Sequence, residues 1–328
     1  MVAIALAAGG IAVAGSAASA QTLLTAPQPT HHSTGHSPKA GKYGWGVAAP
    51  ASFQVHRSTV DPDEPTLFGT TAPRTGTQTL KSAVDNQRTK YGNLGVVRLY
   101  YSGFPDSWAK ITPAVSGTPV SVSFKIDPAD VLAGTYDTQL LTWFSTAPTD
   151  TATYWTYYHE PEDNISAGQF TAAQFRDAFN HVSDLSSQAA AATGAQLHPT
   201  LVLMCWTLSK ASHRTWTDYY PAAGTEILGW DCYNGGGKKG NYQPASGLLD
   251  RAIAVSASVS KPWALPELGS LLVPRDDGTG RAAWIDDVTS YASAHDATFV
   301  TYFDSNIGTE YRLTDQPSSD AWSRASAE

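Results

Sequence analysis

The sequence predicts an α/β protein folded as a (β/α)8 TIM barrel. From about residue 42 onward, short apolar segments alternate with helical ones, and the apolar segments lack a polar face, as in strands that helices cover on both sides. A doubly wound sheet would need a Gly-rich phosphate turn after an early strand, and none is present. The eight predicted strands are Tyr43–Ala49, Leu94–Tyr101, Pro119–Ile126, Tyr154–His159, His198–Trp206, Ile227–Tyr233, Trp263–Leu268 and Thr298–Asp304.

Helical patterns separate most of these strands. The clearest helix is predicted over Thr171–Ala192, because Thr171 and Gln174 form a capping box and Gly194 follows as a stop signal. A second is predicted over Gly280–His295, with Thr279 as its candidate N-cap. The connections between strands two and three and between strands five and six are weakly marked. The remaining predicted helices are Thr77–Tyr91, Asp127–Phe144 and Gly247–Val259.

Composition excludes several classes of protein. The chain has 328 residues, a net charge of −8, and only 15% charged residues with no basic run, which argues against a nucleic-acid partner. Because 42% of residues are hydrophobic and 11% are aromatic, the chain as a whole is not intrinsically disordered. Aromatic side chains line many carbohydrate sites, although most of them fill protein cores.

The first residues resemble an export signal. Residues 1–20 are uncharged and end in Ala18-Ser19-Ala20, a small-residue cleavage pattern, so we expect a signal peptide there, with an uncleaved anchor as the alternative. We expect no other membrane span. Residues 21–41 are predicted to be a disordered linker, and 42–328 the catalytic domain. Export permits a disulfide between Cys205 and Cys232, with two separate buried thiols as the alternative.

Polar residues stand where the predicted strands end, which is where reactive groups gather in this fold. Glu160 follows strand four and Glu267 lies in strand seven, so the two carboxylates should face each other across the barrel mouth. Glycoside hydrolysis needs such a pair, one protonated as an acid and the other ionised. The other polar residues at or near strand ends are Arg98, Asp127, His159, Asp231, Tyr233 and Asp304.

Three motifs resemble signatures of clan A glycoside hydrolases, nearest to family 26, the β-mannanase and related β-glucanase family. They are Tyr158-His159-Glu160, the run from Gly229 to Tyr233, and the run from Lys261 to Gly269. The resemblance implies a retaining mechanism with Glu160 as acid/base and Glu267 as nucleophile, their carboxyls roughly 5–5.5 Å apart. It implies that His159 orients Glu160 or touches a sugar hydroxyl, that Tyr233 holds Glu267 ionised, and that Arg98 favours the same ionised form.

Several residues have a second interpretation. Glu162 is the rival of Glu160 as the acid, and Arg98 could instead form a buried ion pair that orders the barrel. Asp231 binds substrate or caps its loop, and Trp206 stacks on a sugar or packs in the protein. Family 26 usually has an arginine where Thr156 stands and a tryptophan at the end of strand eight. Asp127 and Asp304 are expected to be helix or loop caps.

The sequence therefore predicts a secreted retaining glycoside hydrolase that cleaves a β-linked polysaccharide or oligosaccharide, mannanase- or glucanase-like. The alternative is a non-catalytic carbohydrate-binding or cell-envelope protein on the same fold. No Gly-x-Ser-x-Gly elbow and no zinc-ligand spacing occurs, so we expect neither a serine hydrolase nor a metal or other cofactor. The sequence leaves the oligomeric state open.

Overall fold

A computed structural model describes residues 64–235 and 240–327. Its strands form one closed barrel in which each pairs in parallel with the next and the last pairs with the first, which confirms the predicted TIM barrel. The strands are β1 (Leu67–Thr71), β2 (Val96–Tyr101), β3 (Val120–Phe124), β4 (Thr153–Tyr157), β5 (Leu197–Met204), β6 (Ile227–Asn234), β7 (Trp263–Ser270) and β8 (Ala297–Tyr302).

Helices lie between the strands and follow the last one. They are α1 (Leu80–Tyr91), α2 (Trp108–Val115), α3 (Pro128–Leu132), α4 (Asp137–Ser145), α5 (Pro161–Ser166), α6 (Ala172–Thr193), α7 (Ala245–Ser258), α8 (Thr279–Ala294) and α9 (Gln316–Ser326). Three short 3-10 turns, Cys205–Leu208, Lys210–Ser212 and Trp216–Tyr219, connect β5 to β6, where the sequence marked a helix weakly. Within the described ranges, none of the helices is both long and apolar enough to cross a membrane.

The first strand of the barrel corrects the sequence prediction. The predicted strand Tyr43–Ala49 lies outside the described residues, as do the predicted signal peptide and linker, and the barrel closes on Leu67–Thr71 instead. This strand is short and contains Gly69, so its apolar signal is weak. Gly69 is nevertheless required, because a Cβ there would lie 1.7 Å from the carbonyl oxygen of Val96 on β2.

The predicted helices agree with the structure except in two places. α6 has the expected capping box of Thr171 and Gln174 and ends at Gly194, which adopts a left-handed conformation. The segment predicted as one helix over Asp127–Phe144 is broken into α3 and α4, with Gly134 at a φ of 71° between them. Thr279 is the first residue of α8 and not its cap, because Gly278 holds the cap position.

The barrel interior changes from apolar to polar along the strands. Near the strand starts, one apolar cluster is formed by residues of five strands: Val96, Tyr154, Ile227, Ala264 and Phe299. Farther along, Arg98 on β2 and Asp231 on β6 are both buried. The apolar layer fills the start of the barrel, and these two charged residues lie nearer the carboxyl ends of the strands, where a ligand would bind.

Candidate active site

Three carboxylates meet at the carboxyl ends of the strands. Glu160 follows β4, Asp231 lies on β6 and Glu267 on β7, and one oxygen of each lies within 4.8 Å of one oxygen of each of the others. The two glutamates that the sequence pairs thus face each other at the barrel mouth. Glu162 is not in this cluster. It is fully buried, and its Oε1 accepts hydrogen bonds from other residues.

An unusual backbone conformation presents Glu160. Tyr158 and Glu160 both have left-handed φ angles, 54° and 49°, which cost roughly 1–3 kcal/mol each for residues other than glycine. Neighbouring strands hold this conformation, because the Tyr158 amide donates to the Phe124 carbonyl at 2.8 Å and the Glu160 amide donates to the Val202 carbonyl at 3.0 Å. Pro161 then starts α5 with a preset φ. The strain turns the Glu160 side chain towards the barrel mouth.

An irregularity in β7 presents Glu267. The pairing register of β7 shifts against both β6 and β8 around Pro266, which has no amide hydrogen to donate to a ladder. The Pro266 carbonyl accepts a hydrogen bond from the Thr301 hydroxyl. Gly229 on β6 makes room for the proline ring, because a Cβ at that position would lie 2.7 Å from Pro266 Cγ. Beyond the shift, Glu267 pairs with Asp231.

Tyr233 orients Glu267. Its hydroxyl donates to Glu267 Oε2 at 2.5 Å, a distance typical of a strong hydrogen bond to a carboxylate. Gly269 lies opposite Tyr233 and allows the close approach, because a Cβ there would lie 2.9 Å from the tyrosine ring. The Tyr311 ring packs 4.6 Å from the Tyr233 ring, and Phe303 meets it edge-on at 6.0 Å. These contacts fix the orientation of the Glu267 carboxylate.

Burial and mutual repulsion separate the charge states of the carboxyls. Burial, with the nearby charge of Glu267, raises the pKa of Glu160 to about 8, so Glu160 carries a proton at neutral pH. The same causes raise the pKa of Asp231 well above its usual range. Both Asp231 oxygens are buried and have no hydrogen-bond partner among the described residues, which also favours the protonated form.

Two cations and an imidazole surround the carboxyls. Arg98 is fully buried, donates to Ser121 Oγ at 3.2 Å and lies 4.6 Å from the Tyr100 ring. It makes no ion pair with a described residue, so the alternative of an ordering salt bridge is not what the structure shows. Burial lowers the pKa of His159 well below its usual value, with help from the charges of Lys125 and Arg98, so His159 is neutral.

Sequence reasoning missed two groups at the mouth. Lys125 stands directly after β3, where burial lowers its pKa while Glu160 and the neighbouring carboxylates act against that shift. It could have been found from the sequence, by treating every polar residue near a strand end as a candidate site residue. Tyr100, on β2, is half-buried with a buried hydroxyl, and burial and the charge of Glu267 raise its pKa. It follows Arg98 in an otherwise apolar strand, where an aromatic residue is most often part of the core, so no sequence signal marked it.

The other predicted residues have clear positions. Trp206 lies on the turn after β5 and is 52% exposed, which removes the alternative of core packing. The expected capping role of Asp127 is seen at α3, where it accepts from the Ala129 amide at 2.8 Å. Asp304 pairs with Lys90 at 2.8 Å and accepts from a loop amide. Cys205 and Cys232 form a disulfide.

The three clustered carboxylates also have the oxygen donors that hard divalent cations take. Within residues 64–235 and 240–327, this is the only group of acidic, histidine or cysteine side chains brought close enough to share an ion. Carboxyl oxygens this close also match the spacing of a retaining glycosidase, roughly 5–5.5 Å between the two carboxyl groups.

The fold is similar to those of solved glycoside hydrolases. A glucosidase from Croceicoccus marinus has a TM-score of 0.57 and 14% identity, over 81% of this chain and 69% of that one. An exo-β-1,4-mannosidase from Opitutaceae bacterium strain TAV5 has a TM-score of 0.56 and 12% identity, over 80% of this chain and 60% of that one. A family 26 β-mannanase from Bacteroides ovatus has a TM-score of 0.52 and 13% identity, over 80% of this chain and 89% of that one.

These similarities establish a shared fold. They agree with the resemblance to family 26 that the sequence motifs indicated. No protein-family model matches this sequence, and no curated protein matches it.

Proposed function

We propose that this protein is a retaining glycoside hydrolase that cleaves a β-linked polysaccharide, with Glu160 as acid/base and Glu267 as nucleophile. The observation that carries the proposal is the approach of the two carboxyls, whose nearest oxygens lie within 4.8 Å across the barrel mouth. This spacing suits direct attack by one carboxylate better than the roughly 6.5–9.5 Å between the carboxyl groups of an inverting enzyme, which leaves room for a water. Because its pKa is raised, Glu160 carries the proton that the leaving group needs.

The reaction would proceed in two displacements. First, protonated Glu160 donates its proton to the glycosidic oxygen while Glu267 attacks the anomeric carbon, so the leaving sugar departs and a glycosyl ester forms. The Tyr233 hydroxyl, bound to Oε2 of Glu267, keeps the other oxygen aimed at the ring. Second, Glu160, now ionised, takes a proton from water, the water oxygen attacks the anomeric carbon, and Glu267 leaves as a carboxylate.

The substrate class is inferred from neighbours and from the mouth of the barrel. The similar structures include a glucosidase, an exo-β-1,4-mannosidase and a β-mannanase, which favours a mannanase- or glucanase-like activity. Phe303 and Trp206 give the mouth aromatic surfaces of the kind that stack on sugar rings. We also propose that the protein is exported, and the Cys205–Cys232 disulfide supports an oxidising compartment.

Kinetics of matched variants test the proposal. We expect Glu267→Ala to abolish hydrolysis of both activated aryl glycosides and polymers such as glucomannan and mixed-linkage glucan. We expect Glu160→Ala to lose far more activity on polymers than on aryl glycosides, because a good leaving group needs no proton. Asp286→Ala, which removes an exposed carboxylate on α8, is the control and should behave as wild type.

Two results would contradict the proposal. Wild-type activity in Glu267→Ala would show that Glu267 is not the nucleophile. Equal losses on both substrates in Glu160→Ala would indicate that another residue is the acid. Binding of a polymer by the wild-type protein without any release of reducing ends would favour the non-catalytic carbohydrate-binding alternative.

A further inference from the structure

An exposed tryptophan stands beside the barrel mouth. Trp206 is 52% exposed on the turn Cys205–Leu208, and it is the only exposed aromatic side chain in the part of the chain that the structure describes. A large apolar ring in water is unfavourable, since its burial would contribute on the order of 2–3 kcal/mol. A flat exposed ring next to a polar site is the feature that stacks on the apolar face of a sugar.

Both neighbours of Trp206 in the sequence are fixed. Cys205, on one side, is bonded to Cys232 on β6, with Cα atoms 5.0 Å apart. Thr207, on the other side, donates through its hydroxyl to Glu162 Oε1 at 2.8 Å. The Met204 amide donates to the same oxygen at 2.9 Å. The turn is therefore held on both sides of the tryptophan, although its side chain projects into solvent.

The two attachments lead directly to the catalytic groups. Glu162 lies two residues beyond Glu160 on α5, and Cys232 lies between Asp231 and Tyr233 on β6. Arg214 reinforces the first attachment, since it pairs with Asp163 on α5 and approaches Met204 Sδ at 3.6 Å. The position of Trp206 is thus tied to the acid/base on one side and to the partner of the nucleophile on the other.

Glu162 is suited to holding the turn and poorly suited to donating a proton to a substrate. Its side chain is fully buried, and one of its oxygens is occupied by two donors. Burying a carboxyl group is energetically costly unless the group forms hydrogen bonds. Here it satisfies the Met204 amide and the Thr207 hydroxyl, which would otherwise be left without partners.

We propose that Trp206 forms a stacking subsite for the leaving-group part of a β-linked sugar chain, and that Glu162 is the positioning residue for this subsite. The side of the chain follows from chemistry, because the acid/base protonates the leaving-group oxygen and Trp206 stands just beyond β5, the strand next to Glu160. The inference rests on the proposed glycoside hydrolase activity and adds where the leaving sugar binds.

The test compares substrates with and without a sugar in the leaving group. For Trp206→Ala we expect kcat/KM on glucomannan or mixed-linkage glucan to fall roughly 5- to 50-fold, mainly through KM. Hydrolysis of an aryl glycoside with a small leaving group should stay within about two-fold of wild type, because its leaving group does not reach the ring. Leu132→Ala, which removes an exposed apolar side chain from α3, is the control.

Glu162 needs a pair of variants. Glu162→Gln keeps an oxygen that accepts both hydrogen bonds, so it should retain the wild-type KM on polymers. Glu162→Ala releases the turn and should raise that KM as Trp206→Ala does, whereas the basic limb of the pH–rate profile should move alike in both Glu162 variants, because each removes a charge that helps to raise the pKa of Glu160. If both Glu162 variants instead lose kcat on polymers to the same extent while KM stays at the wild-type value, Glu162 is the acid and the positioning role is wrong.

Retardation in native gels that contain the same polysaccharides separates this inference from the proposed function. Weaker retardation of Trp206→Ala than of the wild-type protein supports the subsite, whether or not the protein hydrolyses the polymer. If neither the wild-type protein nor any variant releases reducing ends, the hydrolase proposal is refuted. Hydrolysis and retardation that are both unchanged in Trp206→Ala would overturn the subsite and leave the hydrolase standing.

Discussion

Replacing Glu267 with glutamine should lower the pKa of Glu160. The substitution keeps the size and the hydrogen-bond acceptor of the side chain and removes its negative charge. The same loss of charge occurs in the proposed reaction, because Glu267 becomes a neutral ester in the glycosyl intermediate. If the pKa of Glu160 falls at that stage, one side chain can act first as an acid and then as a base.

The magnitude follows from the separation. The nearest oxygens of the two carboxyls lie within 4.8 Å. Two unit charges about 5 Å apart interact by about 3 kcal/mol at an effective dielectric constant of about 20, which corresponds to a change of about 2 pH units in pKa. Asp231 responds to the same loss of charge and becomes easier to ionise, which restores part of the repulsion. We therefore expect the pKa of Glu160 to fall from about 8 by at least about one unit.

Carbon-13 NMR of glutamate side-chain carboxyls measures this directly. Titration curves of wild type and Glu267→Gln would be compared, and Glu160→Gln would identify the resonance by its disappearance. Burial is the largest cause of the raised pKa and persists in the variant, so the value should stay above that of a free glutamate. If Glu160 titrates at the same pH in both proteins, the two carboxyls do not interact, and the proposed exchange of roles fails.

Three further predictions concern stability. Unfolding in urea should show the free energy of unfolding falling between about pH 4 and pH 8, because folded Glu160 keeps a proton that the unfolded chain releases, and Glu160→Gln should flatten this dependence. Gly229→Ala should cost roughly 1–3 kcal/mol by forcing a Cβ against Pro266, and adding Pro266→Ala should recover part of it in thermal melts. Reducing the Cys205–Cys232 disulfide, with 27 residues of sequence separation, should cost about 3–4 kcal/mol by calorimetry, and a smaller loss would mean that the reduced chain stays ordered there.

The barrel was predictable because its strands are buried on both faces. Seven of the eight predicted strands overlap observed ones, and their apolar runs stand out against polar loops. β1 was missed because Leu67–Thr71 is five residues long and ends in threonines, while Tyr43–Ala49 offered a longer apolar run. The break at Gly134 was missed because a single glycine inside a helical pattern is often tolerated and does not by itself predict an end.

The site was predictable only as a set of residues. Parallel strands in a barrel bring their carboxyl ends to one face, so Glu160, Asp231 and Glu267 could be placed together without coordinates. Their charge states could not, because these depend on distances of a few ångströms. Those distances are set by the left-handed backbone at Glu160 and by the register shift at Pro266, and neither of these local irregularities follows from hydrophobic periodicity.

The two irregularities have a common physical consequence. A regular strand end would point successive side chains to opposite faces and would not bring a residue beyond β4 within 4.8 Å of one inside β7. The left-handed turn and the bulge shorten that gap, and the closeness in turn keeps Glu160 protonated beside Glu267. The backbone strain at Glu160, roughly 1–3 kcal/mol, and the repulsion of about 3 kcal/mol between two ionised carboxylates both oppose folding, so the rest of the barrel must supply the stability that holds this arrangement. On this argument a glycine at position 160 would relax the backbone but would also remove the group for which the strain is maintained.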